Sequence, residues 1–447
     1  MRPSTSERGG SVFERIKQAR RNSRERVDLT QLLDQCRQLM TQRGEANSLA
    51  IASRAVELLA RLGDDGMARL FEVLASDFDP DPDEVRRRAE QYAADHSPEN
   101  LIRLGRAIEP PRQELFRRLN RTAGGTAVLV GMRARLLDRM KQDRGLAAVD
   151  ADLQHLLTSW FNPGFLRLVQ VDWRSPAVLL ERIIRHEAVH EIDGWNDLRR
   201  RLEPDRRCFA FFHPALPDEP LIFVEVALVA QMPAAIAPLL ARELPEADVD
   251  PGKFKVAVFY SISNCQPGLR GINLGNFLIK QVAERLSREF PSLRTFCTLS
   301  PIPSFAGWLQ RLDTIEAPRL KPAQRTRLGQ ALAGLRERHG RDAAALGKAL
   351  QAPKVADADR QALTALCAHY LSQHSASPNG DPVARFHLHN GARLERIDFA
   401  ADLSRKGLKQ SLGLMVNYLY DLDEIETNHE RFIDGQVSAS RAVLGLL

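Results

Sequence analysis

A chain of 447 residues exceeds what one hydrophobic core can organise, so two or three domains are expected. Its 44% hydrophobic and 27% charged content is that of an ordinary soluble globular protein. The net charge of +6 suits an anionic ligand, but it is too diffuse to mark a nucleic-acid surface. Cys36, Cys208, Cys265, Cys297 and Cys367 form no C-x-x-C pair, which points to a reducing compartment without a disulfide framework. No apolar run reaches the roughly 20 residues needed to span a bilayer. The Arg- and Ser-rich start carries Glu7, Glu14 and Glu25, acids that mitochondrial presequences avoid. The cytoplasm is therefore the expected location, with the mitochondrial matrix as the alternative.

From about residue 11 to 160 helix follows helix. Leu32, Leu33 and Cys36 begin one apolar stripe, and Ala55, Val56, Leu58, Leu59 and Leu62 form another. Gly63-Asp64 and the stretch from Asp77 to Pro80 read as a stop and a start, with the aspartates as N-caps. Ser97-Pro98 repeats that signal, and a break from Thr122 to Gly125 precedes a helix with Leu129, Met132, Leu136 and Met140. A bundle that packs or oligomerises is the natural reading. The character changes near Phe161-Asn162-Pro163-Gly164, which sets the expected domains at 1–165 and 166–447.

A helix expected over 176–190 carries His186-Glu187-Ala188-Val189-His190, a literal H-E-x-x-H. Two histidines four apart on one helical face, with a glutamate between them, form the zinc-peptidase signature. The continuation that would supply a third ligand needs Gly at 193 and a ligand at 196, where Asp193 and Asn196 stand. The spacing therefore disfavours a zinc site without a third ligand. Strands follow at 208–213 and 221–229.

Over 254–305 a β run puts Phe254, Val256, Val258, Tyr260 and Ile262 on one face, and Ala257, Phe259, Ser261 and Ser263 on the other. A glycine turn with Gly268, Gly271 and Gly275 leads to an amphipathic helix, then to a strand over 293–299 ending at Ser300, Pro301 and Pro303. A helix N-terminus after such a turn offers backbone N–H groups to an anion. Neither the P-loop nor the dinucleotide glycine pattern is present. The turn is similar to the acyl-CoA loop of the acetyltransferase superfamily, [QR]-x-x-G-x-[GA], in Arg270-Gly271-Ile272-Asn273-Leu274-Gly275, with Asn273 in place of its first glycine. Residues 313–379 return to helix formers and read as an insertion. His387 and His389, on an expected strand, would face the same way, and strand-like segments follow at 393–399 and 414–420.

These segments together resemble the malonyl-CoA decarboxylase family. The likeness runs through EAVHEIDGWNDL (187–198), RRCFAFFHP (206–214), YSIS (260–263), LRGINLGNFLIK (269–280), LSPIP (299–303), ARFHLHNGA (384–392) and GLMVNY (413–418), in that order. The resemblance implies an α+β protein: an N-terminal all-helical bundle that assembles a homo-oligomer, a tetramer, and a C-terminal acetyltransferase-like (GNAT-type) α/β domain. It implies malonyl-CoA as substrate and acetyl-CoA as product, with no metal, biotin or thiamine, no nucleic acid and no membrane. Ser300 and His387 fall on the family's catalytic positions. Arg270, Gly271, Ile272, Asn273, Leu274, Gly275 and Asn276 fall on its CoA loop, and Ser261 and Tyr420 on active-site neighbours. Asn273 departs from a family carboxylate. His387 would then donate a proton to the enolate with Ser300 as partner, and a general acid of this kind is expected to titrate near working pH. A CoA-dependent N-acyltransferase, a zinc peptidase using His186 and His190, and a non-catalytic CoA-sensing scaffold are the rival functions.

Overall fold

The computed structural model describes residues 25–41, 44–241, 250–272, 274, 278–315, 320–341, 343–351 and 355–447. Two compact units emerge: the residues up to Leu166 with Phe212–Pro220 and Gln266–Leu274, and the remainder. Sequence order therefore does not separate them cleanly, because two short excursions of the later chain cluster with the helical unit.

The helical unit contains helices over 25–41, Glu45–Arg61, Asp64–Ser76, Pro82–Ala94, Pro98–Ile108, Pro111–Asn120, Gly125–Arg139 and Ala147–Trp160. Leu32, Cys36 and Leu39 recur at helical spacing and are buried, as are Ala55, Leu58, Leu59, Leu70, Phe71, Phe116, Leu129, Leu136 and Leu153. Leu33 is only partly buried. The helix after Asp77 starts later than the aspartates of that stretch suggest. Asp81 is its N-cap, accepting from the N–H groups of Asp83 and Glu84, with Pro82 at the first position. Asp79 is drawn off to the buried Arg112, and Asp77 closes the preceding helix. The helices Pro82–Ala94 and Pro98–Ile108 pack on each other and bury no residue fully.

The second unit is built on a mixed sheet of β1 (Arg167–Val171), β2 (Arg206–Phe212), β3 (Ile222–Val229), β4 (Val256–Asn264), β5 (Thr295–Thr298), β6 (Ser300–Pro301), β7 (Arg393–Asp398) and β8 (Met415–Leu419). The order is β1-β2-β3-β4-β5-β8-β6, with β7 also on β8. From β2 onward the pairing is antiparallel except between β4 and β5, which are parallel. Those two strands are joined through the helix Leu278–Glu289, whose buried Leu278, Ile279, Val282, Ala283 and Leu286 explain its one-sided pattern. Their parallel ladder stops at Phe259 and Thr298; two residues on, Ser300 pairs with Val416 of β8 instead. Val256, Val258, Tyr260, Cys297, Leu299 and Met415 share one core cluster. In the 313–379 stretch the helices Pro322–His339 and Asp357–His374 pack together, and the latter also lies against β7.

One residue breaks the alternation read from β4. Opposite the Glu225/Val226 junction of β3, Ser261 pairs with Glu225 and Phe259 with Val226, leaving Tyr260 as the extra residue of a bulge. Directly paired residues share a face, so Ser261 and Phe259 lie on opposite faces of the sheet. Sequence alternation put them together; a bulge leaves no trace in a pattern of apolar residues.

Candidate active site

The chemistry gathers where β4 and β5 part. Ser300 opens β6, one residue past the end of β5, kept extended by the proline that follows it, and its hydroxyl lies 3.0 Å from His387 Nε2. His387 sits on the helix Pro382–His389, not on a strand as its surroundings suggest. Asp381 explains the helix: its Oδ1 accepts from the N–H groups of Val383 and Ala384 at 3.0 and 3.1 Å, with Pro382 at the first position. Its second oxygen accepts from Ser304 N–H at 3.0 Å, which ties the start of this helix to the segment just after Ser300. On a helix, residues two apart diverge. His387 is buried, while His389 turns to His429 and Phe432.

The other ring nitrogen of His387, Nδ1, is 2.8 Å from the Tyr420 hydroxyl, and the ring stacks on Tyr418 at 4.6 Å between centroids. Ser300 Oγ also donates to Thr298 Oγ1 at 2.9 Å, and that oxygen accepts the Tyr418 N–H at 3.2 Å. Only 4% of His387 and 5% of Ser300 is exposed. Burial pushes the His387 pKa down to about 3, so the ring is neutral in neutral solution, in contrast to the near-neutral titration expected. Burial likewise raises Tyr420 well above the ordinary tyrosine range. Thr298, Tyr418 and Asp381 escaped the sequence reading. The D-P start before the histidine was the one available signal, as a helix N-terminus.

Ser261 is held elsewhere. Its hydroxyl lies 2.7 and 2.8 Å from the two carboxylate oxygens of Glu187, which also accept from the N–H groups of Val189 and His190 and from Ser263 Oγ. That arrangement dismantles the H-E-x-x-H motif. The helix runs Ala177–His186 and ends there, so Glu187 and His190 are off it, and the glutamate is consumed by a turn and two serines. Among the described residues no group of three or more His, Cys, Asp or Glu could hold a metal ion. His186→Ala should leave turnover within a few-fold of wild type, as should treatment with a chelator. Loss of activity in step with loss of stoichiometric zinc would overturn that expectation.

The glycine turn belongs to the helical unit. Arg133, itself buried, donates from Nη1 to the carbonyls of Gly268 and Arg270 at 2.8 Å each, while its Nε bonds Asp150 at 2.8 Å. Gly268 approaches the helix Gly125–Arg139 so closely that a Cβ would stand 1.9 Å from the Val130 carbonyl oxygen. Gly271 takes a φ of 78°, which favours glycine. Arg270 and Gly271 are exposed; Ile272 and Leu274 are buried. Asn273, Gly275 and Asn276 lie outside the described residues.

A neutral histidine held between a serine and a tyrosine, buried at a break in a parallel strand pair, is an arrangement able to move a proton, as enzyme sites do. Comparison with known proteins agrees. Residues 164–447 match the model of the malonyl-CoA decarboxylase C-terminal domain, and residues 78–161 that of the malonyl-CoA decarboxylase N-terminal domain. The mitochondrial malonyl-CoA decarboxylase of Rattus norvegicus is 35% identical over 367 residues, 77% of this chain and 73% of the relative. That of Mus musculus is 34% identical over 426 residues, 89% and 83% of the two chains. The crystal structure of malonyl-CoA decarboxylase from Rhodopseudomonas palustris superposes with a TM-score of 0.80 at 47% identity, covering 93% of this chain and 98% of its own. The one from Agrobacterium vitis gives 0.80 at 45%, covering 93% and 99%. The chain belongs to the malonyl-CoA decarboxylase family. Its mammalian relatives are named as mitochondrial, the location held above as the alternative; among the described residues no helix is long and apolar enough to cross a membrane.

Proposed function

We propose that this protein is a carboxy-lyase that converts malonyl-CoA to acetyl-CoA and CO2, with His387 as proton donor and Ser300 as its partner. The observation that carries the reading is the Ser300–His387–Tyr420 hydrogen-bond chain, which lies within the matched C-terminal domain. Decarboxylation breaks the bond between the α-carbon and the carboxylate. The electron pair passes into the thioester, giving an enolate, and CO2 leaves. The α-carbon then takes a proton. His387 is neutral, so the proton comes from a neutral imidazole N–H rather than from an imidazolium. The Tyr420 hydroxyl at Nδ1 supports the ring as Nε2 gives its proton up, and solvent later restores it. A positioned acid of this kind contributes roughly 10²–10⁴ in rate. The thioester is itself the electron sink, so the reading needs no metal, biotin or thiamine.

The exposed Arg270 and the backbone of Gly271 are assigned, with Ile272, Asn273, Leu274, Gly275 and Asn276, to the CoA moiety. A parallel strand pair that opens past Phe259 and Thr298 supports an acetyltransferase-like (GNAT-type) fold for the second unit, with residues 313–379 as its insertion. Ser261 is assigned beside the substrate from its place two residues past that last rung, although Glu187 holds its hydroxyl. The five cysteines are all buried and unbridged, which suits a reducing compartment such as the cytoplasm. Incubation with malonyl-CoA alone tests the reading: CO2 and acetyl-CoA should appear without an amine acceptor. Turnover only when an amine is supplied would make the protein an N-acyltransferase, and tight CoA binding without any turnover a scaffold.

Assembly belongs to the same proposal. The helix Pro98–Ile108 exposes Leu101, Ile102 and Ile108, each about half accessible, on a hairpin that buries none of its own residues fully. This hairpin is assigned to contacts of a homo-oligomer, a tetramer. Leu101→Asp with Ile102→Asp should lower the mass measured by light scattering while leaving the circular dichroism spectrum intact. An unchanged mass would remove the hairpin from the interface.

A further inference from the structure

The buried hydrogen bonds around His387 have a direction, and a residue outside the assigned catalytic pair sets it. A serine hydroxyl has one proton to give. Ser300 gives it to Thr298 Oγ1, at 2.9 Å, so toward His387 it is left with lone pairs only. The 3.0 Å contact between Ser300 Oγ and Nε2 then requires the proton to be on Nε2. A neutral imidazole has one N–H, so Nδ1 is an acceptor and the Tyr420 hydroxyl, 2.8 Å away, donates to it. Each donor in this row meets an acceptor: Tyr420 to His387, His387 to Ser300, Ser300 to Thr298.

Thr298 is held for this role. It is the last residue of β5, is fully buried, and its hydroxyl oxygen is fixed by the Tyr418 N–H at 3.2 Å. Its carbonyl accepts from Asn417 Nδ2 at 2.7 Å, which locks the backbone beneath it to β8. The ring is equally fixed, stacked on Tyr418 at 4.6 Å. Reversal of the row would have Thr298 Oγ1–H donate to Ser300 and Ser300 donate to Nε2, against the direction in which the Ser300–Thr298 hydrogen bond is aimed.

We propose that Thr298 is a positioning residue that sets the tautomer of His387, keeping the transferable proton on Nε2, the nitrogen that faces Ser300. The catalytic consequence rests on the proposed decarboxylase reading; the tautomer itself does not. The reverse tautomer would leave a bare lone pair where a proton must be delivered, and the acid would be mute until the ring reorganised.

Nitrogen-15 NMR of histidine-labelled protein tests this directly, with the His387 signals identified by their absence in His387→Gln. In the wild type, Nε2 should carry the proton and Nδ1 should show the shift of an unprotonated ring nitrogen. Thr298→Val keeps the shape of the side chain and removes the acceptor; it should invert the assignment to Nδ1–H and lower kcat about 10²-fold, as loss of a positioned general acid does. Thr298→Ser restores the acceptor and should restore both. A wild-type spectrum with the proton on Nδ1 would overturn the proposal without reference to any Thr298 variant, so a poorly folding Thr298→Val does not protect it. An unchanged Nε2–H in a folded Thr298→Val would overturn it as well. Expected spectra in a protein that releases no CO2 would instead count against the decarboxylase reading and leave the tautomer assignment standing.

Discussion

His387→Ala should lower decarboxylation of malonyl-CoA by about 10²–10⁴-fold, the range a general acid supplies, while leaving the affinity for CoA nearly intact. Ser300→Ala should fall in the same range, because Ser300 Oγ and His387 Nε2 are 3.0 Å apart and, in the proposed reaction, serve one step. Residues that work as a unit are strongly non-additive, so the double variant should be little worse than the weaker single. Multiplication of the two losses would show two independent roles, with Ser300 reduced to a clamp on the substrate. The pH profile offers a second check. Burial holds the His387 pKa near 3, so in the free enzyme its protonation lies below the working range. As pH falls from 8 to 5, kcat/KM should show no loss traceable to His387. An inflection near 6.5 that disappears in His387→Gln would contradict the neutral-imidazole mechanism.

Arg133→Met should weaken CoA binding by about 10²-fold with a much smaller change in kcat at saturation. Hydrogen bonds from a charged donor are worth about 1.5–3 kcal/mol each, and Arg133 makes two to the carbonyls of Gly268 and Arg270. Without them the turn is no longer held against the helix Gly125–Arg139, and its backbone pays the ordering cost only when ligand binds. Gly268→Ala should act the same way, since its Cβ cannot occupy a point 1.9 Å from the Val130 carbonyl oxygen unless the turn moves. Asp150→Asn loosens Arg133 without touching the turn and should give an intermediate loss. Titration calorimetry with CoA reads all three, alongside a melting curve to separate loss of fold from loss of binding. Normal affinity in a folded Arg133→Met would remove the turn from CoA recognition.

Much of the helical unit was legible in order and type, because helix periodicity is written in residues three and four apart. Leu32 and Cys36 sit on the buried face their spacing predicts. The caps were less legible. Asp77, Asp79 and Asp81 are chemically equivalent as caps, and only the buried Arg112 decides that Asp79 is taken and Asp81 is left to start the helix. The H-E-x-x-H motif fails for a related reason: its spacing presumes a helix, and the carboxylate of Glu187 does better accepting the N–H groups of Val189 and His190 and the hydroxyls of Ser261 and Ser263.

What the sequence determined by itself is the family, through short segments in a fixed order, and with it Ser300 and His387 as the residues to watch. Tertiary structure alone decided how they are held. Ser300 and His387 are 87 residues apart, His387 and Tyr420 are 33 apart, and Arg133 reaches a turn 135 residues away. Such partners are selected by packing, which no local pattern encodes. The neutral state of His387 has the same origin, since the free energy of charging a ring depends on the water removed from around it. The bulge at Tyr260 is of this kind too: its one extra residue is visible only against the partner strand, and it turns Ser261 to the face where Glu187 holds it.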